Sequence, residues 1–264
     1  MKKEYAVEEL LTLSKTIAYK GKLGKKRENF CAQYILHKKE VMRQFHEIQT
    51  KAVKEACQSI TCRKACQYSA CCMEYVDATI GECEAIVYYL YHNENVMRLF
   101  LKKYEKWMGK ISEIRDSMTT LEKLSFNFAG QHDKQRTGIE IKKYYENKNF
   151  CPFLEDNFCL IYEVRPYSCV GYYVVTPLSQ CDPDYSGEVP PVKNFFPMAE
   201  ISDVSFYYQS LKKPVLVCMQ RAVYEILEKS YLYLSKIPGL EGIEKEALTD
   251  KKVRLKYRNY LGEK

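Results

Sequence analysis

Apolar residues recur at steps of three or four, or at multiples of these steps, along two stretches of this chain, as one face of an α-helix requires. In the first stretch they are Phe30, Tyr34, Val41, Phe45, Ile48 and Ala52. In the second stretch they are Met97, Phe100, Tyr104, Trp107 and Ile111. We therefore predict two amphipathic helices, each with one face packed against a core.

A capping-box motif lies between these two stretches. Glu82 follows Thr79 by three residues, so the Thr79 hydroxyl can accept from the Glu82 amide while the Glu82 carboxylate bonds back to the Thr79 amide. The motif predicts the start of a further helix, with one face formed by Ile86, Tyr89 and Leu90. The polar run 92–95 is expected to break that helix before the next one begins.

Polar and proline-rich stretches predict the connections. Residues 125–150 are polar and contain two glycines, which is typical of a connection or a surface excursion. The second half of the chain then carries prolines at 152, 166, 177 and 183, which favour loops over long helices. Beyond them the pattern predicts a helical hairpin broken at Pro214, with an inward face of Val215, Met219, Ala222, Val223 and Ile226.

The cysteines are gathered rather than spread. Nine of the twelve fall in two windows, 57–72 and 151–181. Core packing disperses thiols, whereas a metal needs three or four thiolates within bonding distance. We therefore interpret the windows as sources of metal ligands, with Cys57 undecided, and the isolated Cys31, Cys83 and Cys218 as small buried apolar residues. The histidines lie outside both windows and are expected at the surface or in packing: His37, His46, His92 and His132.

These patterns together predict a mainly α protein, in which helices pack around two cysteine-rich irregular loops that form a metal site. We expect one domain over residues 1–264. Its expected parts are an N-terminal helical segment (1–56), a cysteine-cluster core (57–185), a C-terminal helical hairpin (186–235) and a charged tail (236–264).

The order of the cysteine motifs resembles a known family. The first window carries Cys62, Cys66 and the pair Cys71-Cys72, and the second carries CPFL from Cys151, CLIY from Cys159 and RPYSC ending at Cys169. Over roughly residues 57–185 this order is similar to the YkgJ-type cysteine-cluster family, which is described as zinc- or iron-chelating and is related to flagellin lysine N-methylases. Two features depart from the family pattern: the first cluster is spaced more widely than CxxCxxCC, and Val170 stands where an arginine is usual.

The resemblance implies metal or iron–sulfur binding through the matching cysteines. These are Cys62, Cys66, Cys71, Cys72, Cys151, Cys159, Cys169 and Cys181. Cys71 and Cys72 are adjacent and cannot both point the same way in a strand, so we expect one to bind while the other packs or joins a second centre. Without histidine the site is all-thiolate, which suits zinc or an iron–sulfur cluster. Two loops folding over one centre favour the cluster.

Residues beside Cys169 suggest supporting roles. Pro166 is expected to fix the turn into Cys169. Arg165 is expected to form a buried ion pair that clamps the loop, with donation to cluster sulfurs or contact with a substrate as alternatives. Tyr162 is expected to pack beneath the site, and Glu163 to pair with a nearby cation.

Charge and hydropathy narrow the partners and the compartment. The net charge of +7 comes mostly from the basic runs 20–27 and 251–258, which we interpret as solvated surface. No groove-reading motif accompanies them, so nucleic acid is not an expected partner. The first residues lack the apolar core of a secretory signal, and no run approaches the roughly 18 apolar residues that span a bilayer. We expect a cytoplasmic protein, where reduced thiols favour metal binding over disulfides.

Three functions remain open at this point. The first is a metal- or cluster-binding protein acting in electron transfer, cofactor assembly or protein modification. The second is an S-adenosylmethionine-dependent lysine N-methylase-like enzyme with a protein substrate, as the family relationship implies, although the chain has no GxGxxG motif. The third is a zinc-stabilised module that binds a protein partner.

Overall fold

The computed structural model describes residues 27–55, 59–61, 68–126, 134–171, 175, 177–182, 216–229, 233 and 236. Its α-helices are α1 (Arg27–Glu55), α2 (Ile80–His92), α3 (Glu94–Ile111), α4 (Arg115–Phe126), α5 (Lys134–Glu146), α6 (Tyr167–Gly171) and α7 (Met219–Lys229). The strands are β1 (Asp77–Thr79), β2 (Leu154–Glu155), β3 (Phe158–Cys159) and β4 (Leu216–Cys218). The described part is mostly helical, which confirms the mainly α prediction.

Helix α2 lies at the centre of the core. It packs against both α1 and α7, and α3 follows it directly. The pairing of β1 with β4 brings α7 to this position: the two strands are antiparallel, with Asp77 opposite Cys218, and the Met219 N–H donates to the Val76 carbonyl oxygen at 2.9 Å. The start of α7 is thereby tied to the start of α2.

The predicted capping box is present in full. The Thr79 N–H donates to Glu82 Oε2 at 2.9 Å, and the Glu82 N–H donates to Thr79 Oγ1 at 3.3 Å. The first two turns of α2 are buried on all sides, so Glu82 and Glu84 have almost no exposed surface, whereas Tyr89 is half-buried. The predicted helix is confirmed. Its first two turns are buried on more sides than the single apolar face that the sequence predicts.

Helix α3 matches its prediction residue by residue. The polar break is confirmed, since α2 ends at His92 and α3 begins at Glu94. The buried positions of α3 are the predicted ones: Met97, Phe100, Tyr104, Trp107 and Ile111. Their spacing forms one continuous stripe, and the Phe100 ring stacks on Phe153 with 4.3 Å between centroids. This stack anchors the segment that follows Cys151.

Helix α1 confirms the first predicted helix but adds a buried charge. Tyr34 is fully buried, as expected. The side chains of the predicted face positions 30, 41, 45, 48 and 52 lie outside the described residues. Lys38, one turn after Tyr34 on the same face, has no exposed surface. Its burial was not predicted, because a lysine in an amphipathic pattern is normally placed on the polar face.

Two parts of the predicted organisation need correction. The interpretation of residues 125–150 as a connection is wrong for α5, which forms a helix over Lys134–Glu146. Gly138 is compatible with this helix because a Cβ there would meet nothing within 4 Å, so the position faces open space. The stretch after Pro214 was expected to be helical, but Leu216–Cys218 pairs with β1 before the helix begins.

The second arm of the predicted hairpin is confirmed as α7, in which Met219, Ala222, Val223 and Ile226 are buried. The first arm, Val215 and nearly all of the charged tail lie outside the described residues. None of the helices described here is long and apolar enough to cross a membrane.

Candidate metal centre

The first cysteine window ends in a tight 3-10 turn, Ala70–Met73. Ser69 precedes it with a φ of 49°, and the Cys72 N–H donates to the Ser69 carbonyl oxygen at 2.8 Å. Cys71 is exposed and Cys72 is half-buried. Their thiols are hydrogen-bonded to each other, which lowers the pKa of Cys71 to about 7 and raises the pKa of Cys72. Cys71 is therefore the thiol of this pair that ionises more readily.

The second window meets the first at Cys151. The Cys151 N–H donates to the Cys72 carbonyl oxygen at 2.6 Å. The chain reaches this position through Asn149, whose buried side-chain amide donates to the Trp107 carbonyl oxygen of α3 at 3.0 Å. On the other side, buried Phe153 occupies the core next to α3. Cys151 is thus fixed from both directions and is itself nearly buried.

A β-hairpin with a two-residue loop connects Cys151 to Cys159. Strands β2 and β3 pair antiparallel with Leu154 opposite Cys159. Asp156 and Asn157 form the loop with φ values of 44° and 64°, and positive φ at both loop positions is the pattern of a type I′ turn. The Ser69 hydroxyl donates to Asn157 Oδ1 at 3.3 Å, which is a second link between the windows. The hairpin therefore places Cys159 beside Cys151 and close to the Ala70–Met73 turn.

Helix α6 carries Cys169 and is held at its start by the capping box of α2. The Tyr167 N–H donates to Glu82 Oε1 at 2.8 Å, and the Ser168 hydroxyl donates to the Asp77 carbonyl oxygen at 2.6 Å. Lys38 Nζ lies 3.2 Å from the same Glu82 oxygen and 4.6 Å from the centre of the Tyr167 ring. A buried ion pair between α1 and α2 thus fixes the short helix that presents Cys169.

Five described cysteines act on one another electrostatically: Cys71, Cys72, Cys151, Cys159 and Cys169. Burial raises the pKa of Cys151 to about 12 and raises the pKa of Cys159 and Cys169, and the neighbouring sulfurs add to this effect. Burial therefore favours the protonated form of Cys151, Cys159 and Cys169 in the metal-free protein. A bound cation reverses this balance, because it stabilises thiolates.

Backbone amides favour the ionised form of two of these sulfurs. The Phe153 N–H bonds to the Cys151 thiol and the Ile161 N–H bonds to the Cys159 thiol, and each bond lowers the pKa of its sulfur against the effect of burial. Both donors lie two residues after the cysteine. Since a hydrogen bond donated to a thiolate stabilises the charged form, these two positions fit sulfur ligands of a metal.

Arg165 supplies a positive charge that acts on three of the described sulfurs, those of Cys71, Cys159 and Cys169. Its guanidinium carbon lies 4.1 Å from the centre of the Tyr162 ring. The charge lowers the pKa of Cys71 and opposes the burial that raises the pKa of Cys159 and Cys169. Among the described carboxylates none forms an ion pair with Arg165, so the expected clamp is not found there. The described Arg165 interactions instead favour a role towards the sulfurs.

Glu163 does form the predicted pair with a cation, since its carboxylate lies 2.8 Å from Lys39 Nζ on α1. Both side chains are about half exposed, at 55% and 49%. A pair this exposed contributes little to stability.

Of the remaining predicted ligands, the structure describes only Cys181. Cys181 lies in the 3-10 turn Leu178–Cys181 and, like Cys71, acts on Tyr145, whose pKa is raised mainly by burial. Cys62, Cys66 and the undecided Cys57 lie outside the described residues. Within the described ranges, no three Cys, His, Asp or Glu side chains stand at metal-ligand geometry. The described cysteines are neighbours, but they are not arranged as a complete ligand set by themselves.

The isolated cysteines behave as predicted. Cys31, Cys83 and Cys218 are all buried. His46 and His92 are exposed, which agrees with the surface role expected of them. The site residue that the pattern did not indicate is Gln220, which is fully buried and lies 3.6 Å from Cys151 Sγ.

No protein-family model, curated protein or solved structure matches this chain. The resemblance to the YkgJ-type cysteine-cluster family therefore stays a prediction, carried by the cysteine motifs alone.

Proposed function

We propose that this chain binds a metal through cysteine thiolates drawn from both windows. The observation that supports this best is the 2.6 Å hydrogen bond from the Cys151 N–H to the Cys72 carbonyl oxygen. It joins two segments that are far apart in the chain at the positions where cysteines are densest. Thiols brought together in this way suit a soft, multidentate site better than ordinary core packing.

The proposed ligands come from both sides of this junction. The described candidates are Cys71, Cys72, Cys151, Cys159 and Cys169, and the resemblance adds Cys62, Cys66 and Cys181. The N–H donors at Cys151 and Cys159 and the Arg165 charge all stabilise thiolates. These donors and the Arg165 charge suit a site in which the cysteine sulfurs carry more negative charge than the bound metal neutralises.

An iron–sulfur cluster is the preferred occupant. Hydrogen bonds to sulfur and limited solvent exposure are the means by which proteins adjust such clusters, and Cys151, Cys159 and Cys169 are at most partly exposed. When bound, a cluster would supply one-electron chemistry, which is compatible with electron transfer or protein modification in the cytoplasm. The chain's own residues would hold the sulfurs and limit access of water.

A zinc-stabilised interaction module is the second candidate, and two exposed rings favour it. Phe150 and Phe158 precede Cys151 and Cys159 and are 42% and 50% exposed. Apolar rings displayed next to a metal-held loop are suited to contact with a protein partner.

Anaerobic purification with metal analysis and visible spectroscopy tests the proposal. We expect a coloured protein with iron and sulfide, and loss of both in Cys159→Ala. Cys83→Ala is the matched control, because Cys83 is a fully buried cysteine of α2, and it should keep the metal. Zinc in a colourless protein would select the interaction module. Equal metal contents in the two variants, or no metal in either, would contradict the proposal.

S-adenosylmethionine binding is supported by the resemblance alone. Calorimetric titration of the metal-loaded protein measures it directly. Absence of binding would remove the methylase hypothesis without affecting the metal proposal.

A further inference from the structure

Gln220 is a buried amide with a sulfur at each end. It has no exposed surface, in the first turn of α7. Its Nε2 donates to Cys151 Sγ at 3.6 Å, and its Oε1 accepts from the Cys218 thiol at 3.4 Å. A glutamine side chain is costly to bury unless both ends are hydrogen-bonded. Here both partners are cysteines, one from the predicted metal site and one from the core.

The two ends of the amide are not interchangeable. A Cys151 that binds a metal as a thiolate can only accept a hydrogen bond, so it must face the NH₂ group of the amide. Cys218 is a candidate ligand neither by spacing nor by resemblance, and its S–H is the donor to Gln220 Oε1 at 3.4 Å. An S–H donor requires the carbonyl oxygen of the amide, and the NH₂ group is then directed at Cys151. Cys218 thereby sets which end of Gln220 faces the metal site.

We propose that Gln220 is a positioning residue for the bound metal: its amide donates to the Cys151 sulfur and holds that sulfur as a thiolate ligand, while Cys218 fixes the orientation of the amide. The proposal rests on the proposed metal-binding function. It adds a donor from the β4–α7 unit, which the resemblance does not cover. Helix α7 is packed against α2, so the donor is held by the core and not by the cysteine loops.

The consequence is a sulfur whose electron density is lowered by a directed hydrogen bond. Such outer partners of metal ligands typically change metal affinity about 10–100-fold when removed. Gln220→Glu keeps the shape and the oxygen that accepts from Cys218, but replaces the donor by a carboxylate oxygen. Gln220→Leu removes both ends. Cys218→Ala leaves the amide intact and removes only the group that orients it.

Cobalt(II) added to the metal-free protein under anaerobic conditions is the probe, with affinity measured by chelator competition and the sulfur-to-cobalt absorption recorded. We expect Gln220→Glu and Gln220→Leu to lose affinity about tenfold or more. Their absorption should shift to longer wavelength, because a sulfur without its donor gives up charge more easily. Cys218→Ala should fall between these variants and the unmodified chain.

The controls separate this idea from simple destabilisation. Asn93→Leu removes an amide that donates to the Tyr89 carbonyl oxygen at 2.8 Å at the α2–α3 junction, and it should leave the absorption in place. If the Gln220 variants do not fold, Cys218→Ala compared with Cys83→Ala decides. Affinity and absorption equal to those of the unmodified chain would overturn the role of Gln220 and leave metal binding standing. An unmodified chain that binds no cobalt would overturn both.

Discussion

Lys38 and Glu82 form an ion pair with almost no access to water: 1% of the Lys38 side chain and 2% of the Glu82 side chain are exposed. Burial lowers the pKa of Lys38, and the Glu82 charge opposes this shift. The carboxylate also accepts from the Tyr167 N–H and from Thr79, so its lone pairs are well satisfied. This single glutamate therefore joins α1, the start of α2 and the start of α6.

Lys38→Met should destabilise the fold by about 3–5 kcal/mol, because it leaves the Glu82 charge buried without its cation. The double variant Lys38→Met, Glu82→Gln should recover part of this loss, since the amide is neutral and still accepts from Tyr167. Urea unfolding of the single and double variants measures the coupling. A single variant within about 0.5 kcal/mol of the unmodified protein would show that the pair contributes nothing.

At the scale of elements, the hairpin of β2 and β3 is the device that brings Cys159 back to Cys151. Its loop residues Asp156 and Asn157 both have positive φ, a conformation that most L-residues adopt only at a cost. Lys103 of α3 contacts the Leu154 carbonyl oxygen and the Glu155 carboxylate, which holds the first strand on the core. The loop conformation and this contact together set where Cys159 lies.

Asn157→Gly and Asn157→Ala form a matched pair, because both lose the side-chain oxygen that accepts from Ser69. Only alanine is strained at a φ of 64°. We therefore expect the alanine variant to be less stable than the glycine variant by about 1–2 kcal/mol. Denaturant unfolding of the metal-free proteins gives this difference. An alanine variant as stable as the glycine variant would contradict the turn assigned here.

The elements that the sequence predicts well are those with local causes. The capping box of Thr79 and Glu82 and the stripe of α3 depend on spacing within one helix. The burial of Lys38 could not be predicted, because it depends on a carboxylate from a different helix. Strand β4 is only three residues long, and its pairing with β1 is non-local.

In the candidate site, the sequence indicates the cysteines but not how they are supported. The Asp156-Asn157 pair between short apolar runs was a usable hairpin signal. Gln220 carries no such signal, since its role depends on the meeting of α7 with Cys151.

At the scale of the whole molecule, buried acids determine the response to alkaline pH. Burial raises the pKa of Tyr34, Tyr144 and Tyr167 well above the ordinary 10.0, and raises the pKa of Cys83 well above 9.0. In the unfolded chain these groups lose protons near their ordinary values, whereas the folded protein retains them. The stability that they contribute is therefore fully present below about pH 9. It is lost as the pH rises from the ordinary pKa values of these groups towards their raised values in the folded protein.

Lys38 acts in the opposite direction, because its lowered pKa makes the folded state gain stability as the pH rises towards 10.5. One lysine is outweighed by these four groups together with the raised thiols of Cys151, Cys159, Cys169 and Cys218, and its effect ends once the unfolded lysine is neutral. We expect the urea midpoint of the metal-free protein under reducing conditions to fall steeply between about pH 9 and pH 11. Trp107, the single tryptophan and a buried one, reports unfolding, while tyrosinate absorbance follows ionisation. We expect the ionisation of the buried tyrosines to appear only together with unfolding; ionisation of all tyrosines near pH 10 in a protein that is still folded would contradict the burial of these rings.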